Sequence, residues 1–316
     1  MFLITLVLNV TTIIFTKYCA CHLKSAGTKK GMVIFMKRMI LADSSCDIHT
    51  IPNPAPDTIF SYAPLTIRIG EREYRDDDTL NTAEMLHTMY TYKGTTSSAC
   101  PSPQDWLTQF DRADEIYALT ITSALSGCYN SAITARNMAL EKDPDKKILI
   151  LDTLSTGPEM ILLINKLNEY LSQELDFETI RTRICEYSRR THLLFKLETL
   201  DNLVKNGRCS KVVAKMADML NIHIVGRASE EGTLEVLHKC RGINRSYSSI
   251  IKEMIQSGYS NGPVYISQCM NPEGAAQLKA KIEEVFENPS VTILPSGGLC
   301  SYYAERGGLL IGYESV

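Results

Sequence analysis

Small and hydroxyl-bearing residues follow an apolar run near the middle of the chain. Residues 116–121 are predicted to form a buried strand, and a helix is predicted to begin at about Cys128. A helix N-terminus carries unpaired N–H groups and partial positive charge, so it accepts a carboxylate or a phosphate. The alternative is a serine-rich helix cap that binds nothing. The residues of this turn that could hold an anion are Thr122, Ser123, Ser126 and Gly127.

Other residue types that carry catalysis are present without the spacing that catalysis needs. The serines lie in no G-x-S-x-G motif, and no G-x-G-x-x-G or Walker sequence occurs. His192, His223 and His238 show no partner spacing typical of a catalytic triad. Asp43 and Asp152 each follow a predicted strand. They are interpreted either as acid–base residues or as acceptors of hydrogen bonds from turn N–H groups.

The ten cysteines contain no C-x-x-C pair, so their spacing predicts no metal site and no cofactor. Because they are scattered along a chain that can build its own core, they favour reduced thiols in the cytoplasm over a disulfide framework. Four of them are interpreted either as redox-active or metal-binding thiols or as small apolar filler: Cys46, Cys100, Cys128 and Cys300.

The composition is typical of a globular protein with one large domain or two ordinary ones. The chain has 316 residues, of which 44% are hydrophobic and 22% charged. The net charge of −3 gives no reason to expect nucleic acid as a partner.

The order of elements places the turn at the edge of a parallel sheet. Predicted strands at 37–42, 116–121 and 147–151 alternate with helices, which is the pattern of parallel α/β sheets. In such sheets ligands bind beyond the carboxyl ends of the strands. The turn is therefore a candidate ligand site. The other elements predicted nearby are a hairpin at 62–74, a solvated turn at 75–78, a helix at 79–90, a loop at 95–103 and a helix at 157–171.

Beyond about residue 190 the pattern changes to that of an α+β domain. We therefore predict an N-terminal α/β domain at 36–190 and a second domain at 191–316, with a cleft between them. Its predicted helices are 211–220, 247–256 and 274–286, and its predicted strands are 222–225, 233–237, 264–267, 291–294 and 308–313.

The first 35 residues are predicted to be an extension upstream of the fold. Their apolar run is short for a membrane span and lacks the preceding basic residues of a signal peptide. A misplaced start codon, a signal or anchor segment and a part of the fold all remain alternatives, and no stable membrane span is expected.

Several short motifs, taken in order, resemble the DegV family over residues 37–316. Each motif is weak alone, but their order and spacing are specific. The motifs are DSSCD at 43–47, SSACPSP at 97–103, TSALSGCYNSA at 122–132, LDT at 151–153, LDNL at 200–203, NGR at 206–208 and KCRG at 239–242.

The resemblance implies two α/β domains, the first a mainly parallel sheet flanked by helices, with a ligand tunnel between them. It implies a long-chain fatty acid in the tunnel, presented to a separate fatty acid kinase subunit, and no catalytic activity of the chain itself. By motif, Ser98 would donate to the carboxylate, and Arg208 matches the arginine of the family's GGR segment. The serine pair of the family corresponds to Thr122 and Ser123, with Ser126 following.

Near the C-terminus the sequence departs from the family pattern. Family members often carry His-x-Gly-Pro-Gly, whereas here the segment is PSGGLCSYY at 295–303, and no histidine follows His238. The turn glycines Gly297 and Gly298 are kept, and with Asp43 and Ser44 they are expected near the site. A second hypothesis is a stand-alone enzyme that acts on a small carboxylate or phosphate ester at the same helix N-terminus.

Overall fold

A computed structural model describes residues 36–209 and 221–315. The predictions for residues 1–35 and for a helix at 211–220 lie outside these residues. Four parallel strands form the first sheet, in the order β2-β1-β6-β7. They are β1 (Arg38–Asp43), β2 (Thr58–Ala63), β6 (Glu115–Thr120) and β7 (Lys147–Asp152).

Helices cover both faces of this sheet because its central strands are apolar on both sides. Along β6, Tyr117 and Leu119 pack with one helix pair, whereas Ile116 and Ala118 pack with the other. The first pair is α4 (Pro158–Ser172) and α5 (Phe177–Tyr187), and the second is α2 (Pro103–Phe110) and α3 (Cys128–Lys142).

The second sheet has six strands in the order β10-β9-β8-β13-β11-β12. All neighbours are antiparallel except β11 and β12, which are parallel. The strands are β8 (Thr191–Leu197), β9 (Ile222–Ala228), β10 (Leu234–Arg241), β11 (Gly262–Gln268), β12 (Pro289–Pro295) and β13 (Leu309–Glu314). The helices of this part are α6 (Asp201–Lys205), α7 (Ile243–Gln256), α8 (Pro272–Val285) and α9 (Gly298–Ala304).

A third, small antiparallel sheet has the order β4-β3-β5. Its strands are β3 (Thr66–Ile69), β4 (Arg72–Arg75) and β5 (Thr96–Ala99), and α1 (Thr82–Thr91) follows β4. Ile67 and Ile69 pack with Met85 and Leu86 of α1 against the second sheet. This small sheet therefore brings β5 close to the residues of the second sheet.

The predicted α/β architecture with a parallel sheet and a separate sheet domain is confirmed, whereas two local predictions are wrong. The predicted loop at 95–103 contains β5 and the first residue of α2. The turn at 75–78 is not fully solvated, since Asp76 is only 1% exposed. The hairpin toward Tyr74 is confirmed as β3 and β4, but Tyr62 belongs to β2 in a different sheet. The domain boundary near residue 190 stays a proposal.

Candidate functional site

A cavity of about 310 Å³ lies where β5, the turn after β6, β8 and α9 meet. This volume is at the lower end of those typical of small-molecule sites. On β8, alternate side chains face the cavity, whereas Leu194 between them packs into the core on the other face of the sheet. Most of the lining is apolar: Leu65, Ile121, Leu125, Leu193, Phe195, Leu197, Leu203, Leu234, Leu299 and Leu310 contribute to it.

The polar set of the lining comprises two separate hydrogen-bonded groups, one at Ser98 and one at Arg208. The Ser98 Oγ lies 2.8 Å from the Tyr303 hydroxyl oxygen. The Arg208 Nε donates to the Leu125 carbonyl oxygen over 3.2 Å, so the guanidinium lies beside the turn that contains Ser126 and Gly127. Arg208 also donates to the Asn206 carbonyl oxygen. Four of the residues predicted from the sequence therefore share the cavity: Ser98, Ser126, Gly127 and Arg208.

The N-terminus of α3 closes this polar part of the cavity. Gly127 is the residue before its first turn and provides no side-chain cap. The Ser126 Oγ accepts a hydrogen bond from the Cys128 N–H over 3.3 Å. The first turn of a helix leaves N–H groups without intrahelical acceptors, and the helix dipole is positive there. An anion in the cavity would therefore be stabilised at this point.

Thr122 and Ser123 are placed differently, and neither is among the cavity-lining residues that the structure describes. The buried Thr122 hydroxyl donates to the Gly232 carbonyl oxygen over 2.8 Å. Ser123 is exposed, and its N–H donates to the Asp152 carboxylate over 3.1 Å. In the described contacts these two residues shape the turn, and direct ligand contact by them stays a prediction.

Asp43 and Ser44 are fully buried, and Asp43 supports the turn after β6. The Asp43 carboxylate accepts hydrogen bonds from the Ile121 N–H over 2.7 Å and the Ser45 N–H over 3.1 Å. Burial raises the pKa of Asp43 to about 6. The Ser44 hydroxyl donates to Asp76 over 2.9 Å. Of the two interpretations of Asp43 and Asp152, the structure matches acceptance of turn hydrogen bonds.

The two glycines near the C-terminus bind buried carboxylates. The Gly297 N–H donates to Asp47 over 2.8 Å, and the Gly298 N–H donates to Asp76 over 2.7 Å. Asp76 also accepts from the Leu299 N–H over 3.0 Å, so it occupies the N-terminus of α9. A Cβ atom at Gly298 would lie 2.6 Å from an Asp76 oxygen, which explains the glycine.

Polar side chains that were not predicted to bind a ligand also line the cavity, among them Tyr303, Thr156 and Cys300. The Cys300 Sγ lies 3.6 Å from the Thr156 hydroxyl oxygen and 3.4 Å from the Ser45 carbonyl oxygen. Cys300 and Tyr303 lie in the segment 295–303, which departs from the family pattern by lacking the histidine. That departure was the only feature of the sequence that pointed to them.

Cys100, which lines the cavity, and Cys128, which is buried, both adjoin the turn before α3. A hydrogen bond from the Cys128 thiol lowers the pKa of Cys100 to about 6, whereas burial raises the pKa of Cys128. Within residues 36–209 and 221–315, no group of three or more His, Cys, Asp and Glu side chains is arranged to hold a metal ion. No helix in that part of the chain has the length and hydropathy needed to cross a membrane.

The fold and the cavity define a two-domain α/β protein with a mostly apolar cavity. A family model described as an uncharacterised protein of the DegV family matches residues 37–315. The chain belongs to the DegV family, and the resemblance seen in its motifs is confirmed. A DegV domain-containing protein of Streptococcus pneumoniae is 46% identical over 275 residues, which cover 87% of this chain and 98% of that protein.

Two similar crystal structures contain fatty acids. The Fatty Acid Kinase (Fak) B3 protein of Streptococcus pneumoniae, loaded with linoleic acid, is 45% identical with a TM-score of 0.87, covering 89% of this chain and 100% of that chain. A DegV family protein of Eubacterium eligens, loaded with heptadecanoic acid, is 37% identical with a TM-score of 0.85, covering 88% and 100%.

Proposed function

We propose that this protein binds a long-chain fatty acid in the cavity, with the carboxylate held by Ser98, Ser126, Gly127 and Arg208 at the N-terminus of α3. The observation that carries the proposal is the lining itself, which is apolar except for this small polar set. Each buried CH₂ group contributes about 0.8 kcal/mol, so an acyl chain gains affinity along the whole cavity. A small carboxylate or phosphate ester would leave most of this lining without a partner, which disfavours the enzyme hypothesis.

The polar set supplies what a buried carboxylate requires. A carboxylate that leaves water loses hydration worth several kcal/mol unless hydrogen-bond donors replace it. Hydroxyl groups, helix N–H groups and a guanidinium are all donors, and hydrogen bonds to a charged acceptor are the stronger kind. Thr122 and Ser123 contribute to the site through the turn that they build, with Asp43, Ser44, Gly297 and Gly298 supporting it.

The chain would have no catalytic activity of its own and would present the acyl carboxylate to a separate kinase subunit in the cytoplasm. The name of the similar Streptococcus pneumoniae protein, Fatty Acid Kinase B3, supports this partner. Cys300 and its neighbours occupy the segment in which family members often have a histidine. In this proposal Ser98, Ser126, Gly127 and Arg208 hold the carboxylate without that histidine.

Native mass spectrometry of the purified full chain tests ligand binding. We expect a co-purifying mass equal to that of a long-chain fatty acid, and a delipidated sample should take up palmitate. Palmityl alcohol is the matched control, because it has the same chain without the carboxylate and should bind more weakly. A protein that stays empty and hydrolyses carboxylate or phosphate esters would overturn the proposal.

Presentation to a kinase needs a separate test. The palmitate-loaded chain is incubated with the catalytic subunit of a bacterial fatty acid kinase and ATP, and acyl phosphate is trapped with hydroxylamine. We expect the hydroxamate only when the loaded chain, kinase subunit and ATP are all present. If palmitate binds but no hydroxamate forms, the kinase partner is wrong and lipid binding stands.

A further inference from the structure

Two cysteines from separate elements meet beside the polar end of the cavity. Cys100 directly follows β5, and Cys128 is the first residue of α3. The Cys100 Sγ would lie 3.1 Å from a Cβ atom placed on Gly127, and the Cys128 Sγ accepts a hydrogen bond from the Ser126 hydroxyl over 3.2 Å, so both thiols adjoin the same turn. Both thiols are free. Cys100 is exposed and contributes to the cavity lining, whereas Cys128 is fully buried.

The surroundings of Cys100 favour its thiolate. The Cys100 Sγ would lie 3.1 Å from a Cβ atom placed on Gly127, so the sulfur packs against the N-terminus of a helix of fifteen residues. Such a terminus stabilises a thiolate through its dipole and its N–H groups. The hydrogen bond from Cys128 acts in the same direction and brings the pKa of Cys100 to about 6.

We propose that Cys100 and Cys128 form a peroxide-oxidisable dithiol, in which Cys100 is the attacking thiol and Cys128 the resolving thiol. The exposed Cys100 is accessible to the oxidant, and the buried Cys128 thiol adjoins the same turn before α3. The other cavity cysteine, Cys300, contacts Thr156 and Ser45 instead. The proposal rests on this thiol pair and is independent of the fatty acid.

The reaction consumes one peroxide and releases two molecules of water. The Cys100 thiolate attacks one oxygen of hydrogen peroxide, the O–O bond breaks, and Cys100 becomes a sulfenic acid while the released hydroxide takes up a proton. The Cys128 sulfur then attacks the sulfenic sulfur and loses its proton, and the hydroxyl group leaves as water. Two thiols are oxidised to one disulfide, and the peroxide accepts the two electrons.

The disulfide would join Cys100, which lines the cavity, to the first residue of α3, and the residues just before that helix, Ser126 and Gly127, line the cavity as well. Bonded sulfurs lie about 2.05 Å apart, much closer than two sulfurs that are not bonded, so the two residues must move toward each other. Oxidation therefore changes the shape of the cavity at its polar end.

Peptide mapping of the full chain after hydrogen peroxide treatment tests the proposal. Free thiols are blocked, the protein is digested without reduction, and the cross-linked peptides are identified by mass spectrometry. We expect a Cys100–Cys128 cross-link in the wild-type protein. With Cys128→Ser, dimedone should label Cys100 at least about ten times faster than Cys185, a half-buried thiol whose pKa is raised by burial.

Cys185→Ser is the matched control, and it should leave the rate of Cys100–Cys128 cross-linking unchanged. Excess peroxide that yields no such cross-link in the wild-type protein would overturn the proposal, whether or not the variants fold. Labelling of Cys100 no faster than that of Cys185 would overturn the assignment of Cys100 as the attacking thiol.

Discussion

At the scale of single residues, Ser98 is the most direct contact between the sequence motif and the proposed ligand. Its hydroxyl faces the cavity and lies 2.8 Å from the Tyr303 hydroxyl oxygen, so both groups can turn toward a carboxylate. Ser97 precedes it on the same strand and is exposed. Both serines lie on β5, but only Ser98 lines the cavity. Ser97 can therefore serve as a control for the loss of a serine hydroxyl from this strand.

Ser98→Ala is expected to weaken palmitate binding by about 1 kcal/mol, or about fivefold in Kd, because one hydrogen bond to the carboxylate is lost. Titration of delipidated protein followed by native mass spectrometry measures the change. Ser97→Ala should leave Kd unchanged. Equal Kd values for both variants and the wild-type protein would remove Ser98 from the carboxylate site.

Asp76 binds the N-terminus of α9, a role that could not be predicted from the residues next to it in the sequence. It lies within a run of three aspartates that is typical of a solvated turn, yet its carboxylate is buried and accepts from two N–H groups of α9 and from Ser44. The two N–H groups of α9 that bind it are more than two hundred positions away in the chain, and Ser44 is 32 positions away. No local pattern could therefore distinguish Asp76 from its neighbours.

Asp76→Ala is expected to lower the free energy of unfolding by about 2–4 kcal/mol, since it leaves buried N–H groups without an acceptor. Urea denaturation measures the change. Asp78→Ala is the control: Asp78 is exposed and pairs with His49 at the surface, so its loss should cost at most about 1 kcal/mol. A similar cost for both variants would show that Asp76 does not hold α9.

At the scale of elements, the strand–turn–helix at residues 115–142 was predictable, and β5 was not. The apolar strand, the turn and the helix from Cys128 each have a clear local pattern, and all three form as predicted. The sequence of β5, TSSA, is short, small and polar, and it is followed by Pro101. It becomes a strand because β3 offers it hydrogen-bonding partners, which is information that lies elsewhere in the chain.

The approach of β5 to α3 allows a test of where the ligand lies. Bound palmitate should slow alkylation of Cys100 by iodoacetamide at least about threefold, because the carboxylate would lie beside its sulfur and cover it. Mass spectrometry of the alkylated peptides gives the rate, and Cys185 serves as the internal control. If palmitate protects neither thiol, or both equally, the carboxylate does not lie beside the turn before α3.

At the scale of the whole molecule, the fold class could be predicted but the cavity could not. Alternating strands and helices, and the change of pattern near residue 190, are readable in the sequence. The leucines that line the cavity resemble any core residues, and on β8 only the pairing of the sheet decides that Leu193 faces the cavity while Leu194 faces the core. For the same reason Ser123 could not be distinguished from Ser126 within the turn.

The molecule also buries carboxyl groups that link its distant parts, and this predicts a pH dependence of stability. Burial raises the pKa of Asp47 from 3.8 to about 7. The folded state therefore binds more protons than the unfolded state between these values, so the free energy of unfolding falls as the pH rises from about 4 to about 7. The contribution of Asp47 is fully present below about pH 4. Two histidines whose pKa values are lowered by burial, His192 and His223, act in the opposite direction.

A comparison of variants isolates the Asp47 contribution. Asp47→Asn keeps an oxygen that can accept from the Gly297 N–H but cannot titrate, so the stability of the wild-type protein relative to this variant should fall from pH 4 to pH 7. Urea denaturation at several pH values measures the difference. Glu71→Gln, at an exposed position, is the control. The difference in free energy of unfolding between the wild-type protein and this variant should not change with pH. If the difference between the wild-type protein and Asp47→Asn did not change with pH either, the pKa of Asp47 would be the same in the folded and unfolded states.

The orientation of the fatty acid is the most direct test of the proposed function. A crystal structure of the full chain with palmitate that carries bromine on its terminal carbon would locate both ends of the ligand, because bromine has an anomalous signal. We predict the carboxylate within hydrogen-bond distance of the Ser98 Oγ and the bromine among apolar side chains of the cavity. Bromine beside Ser98 and Arg208, or a cavity without the ligand, would contradict the account.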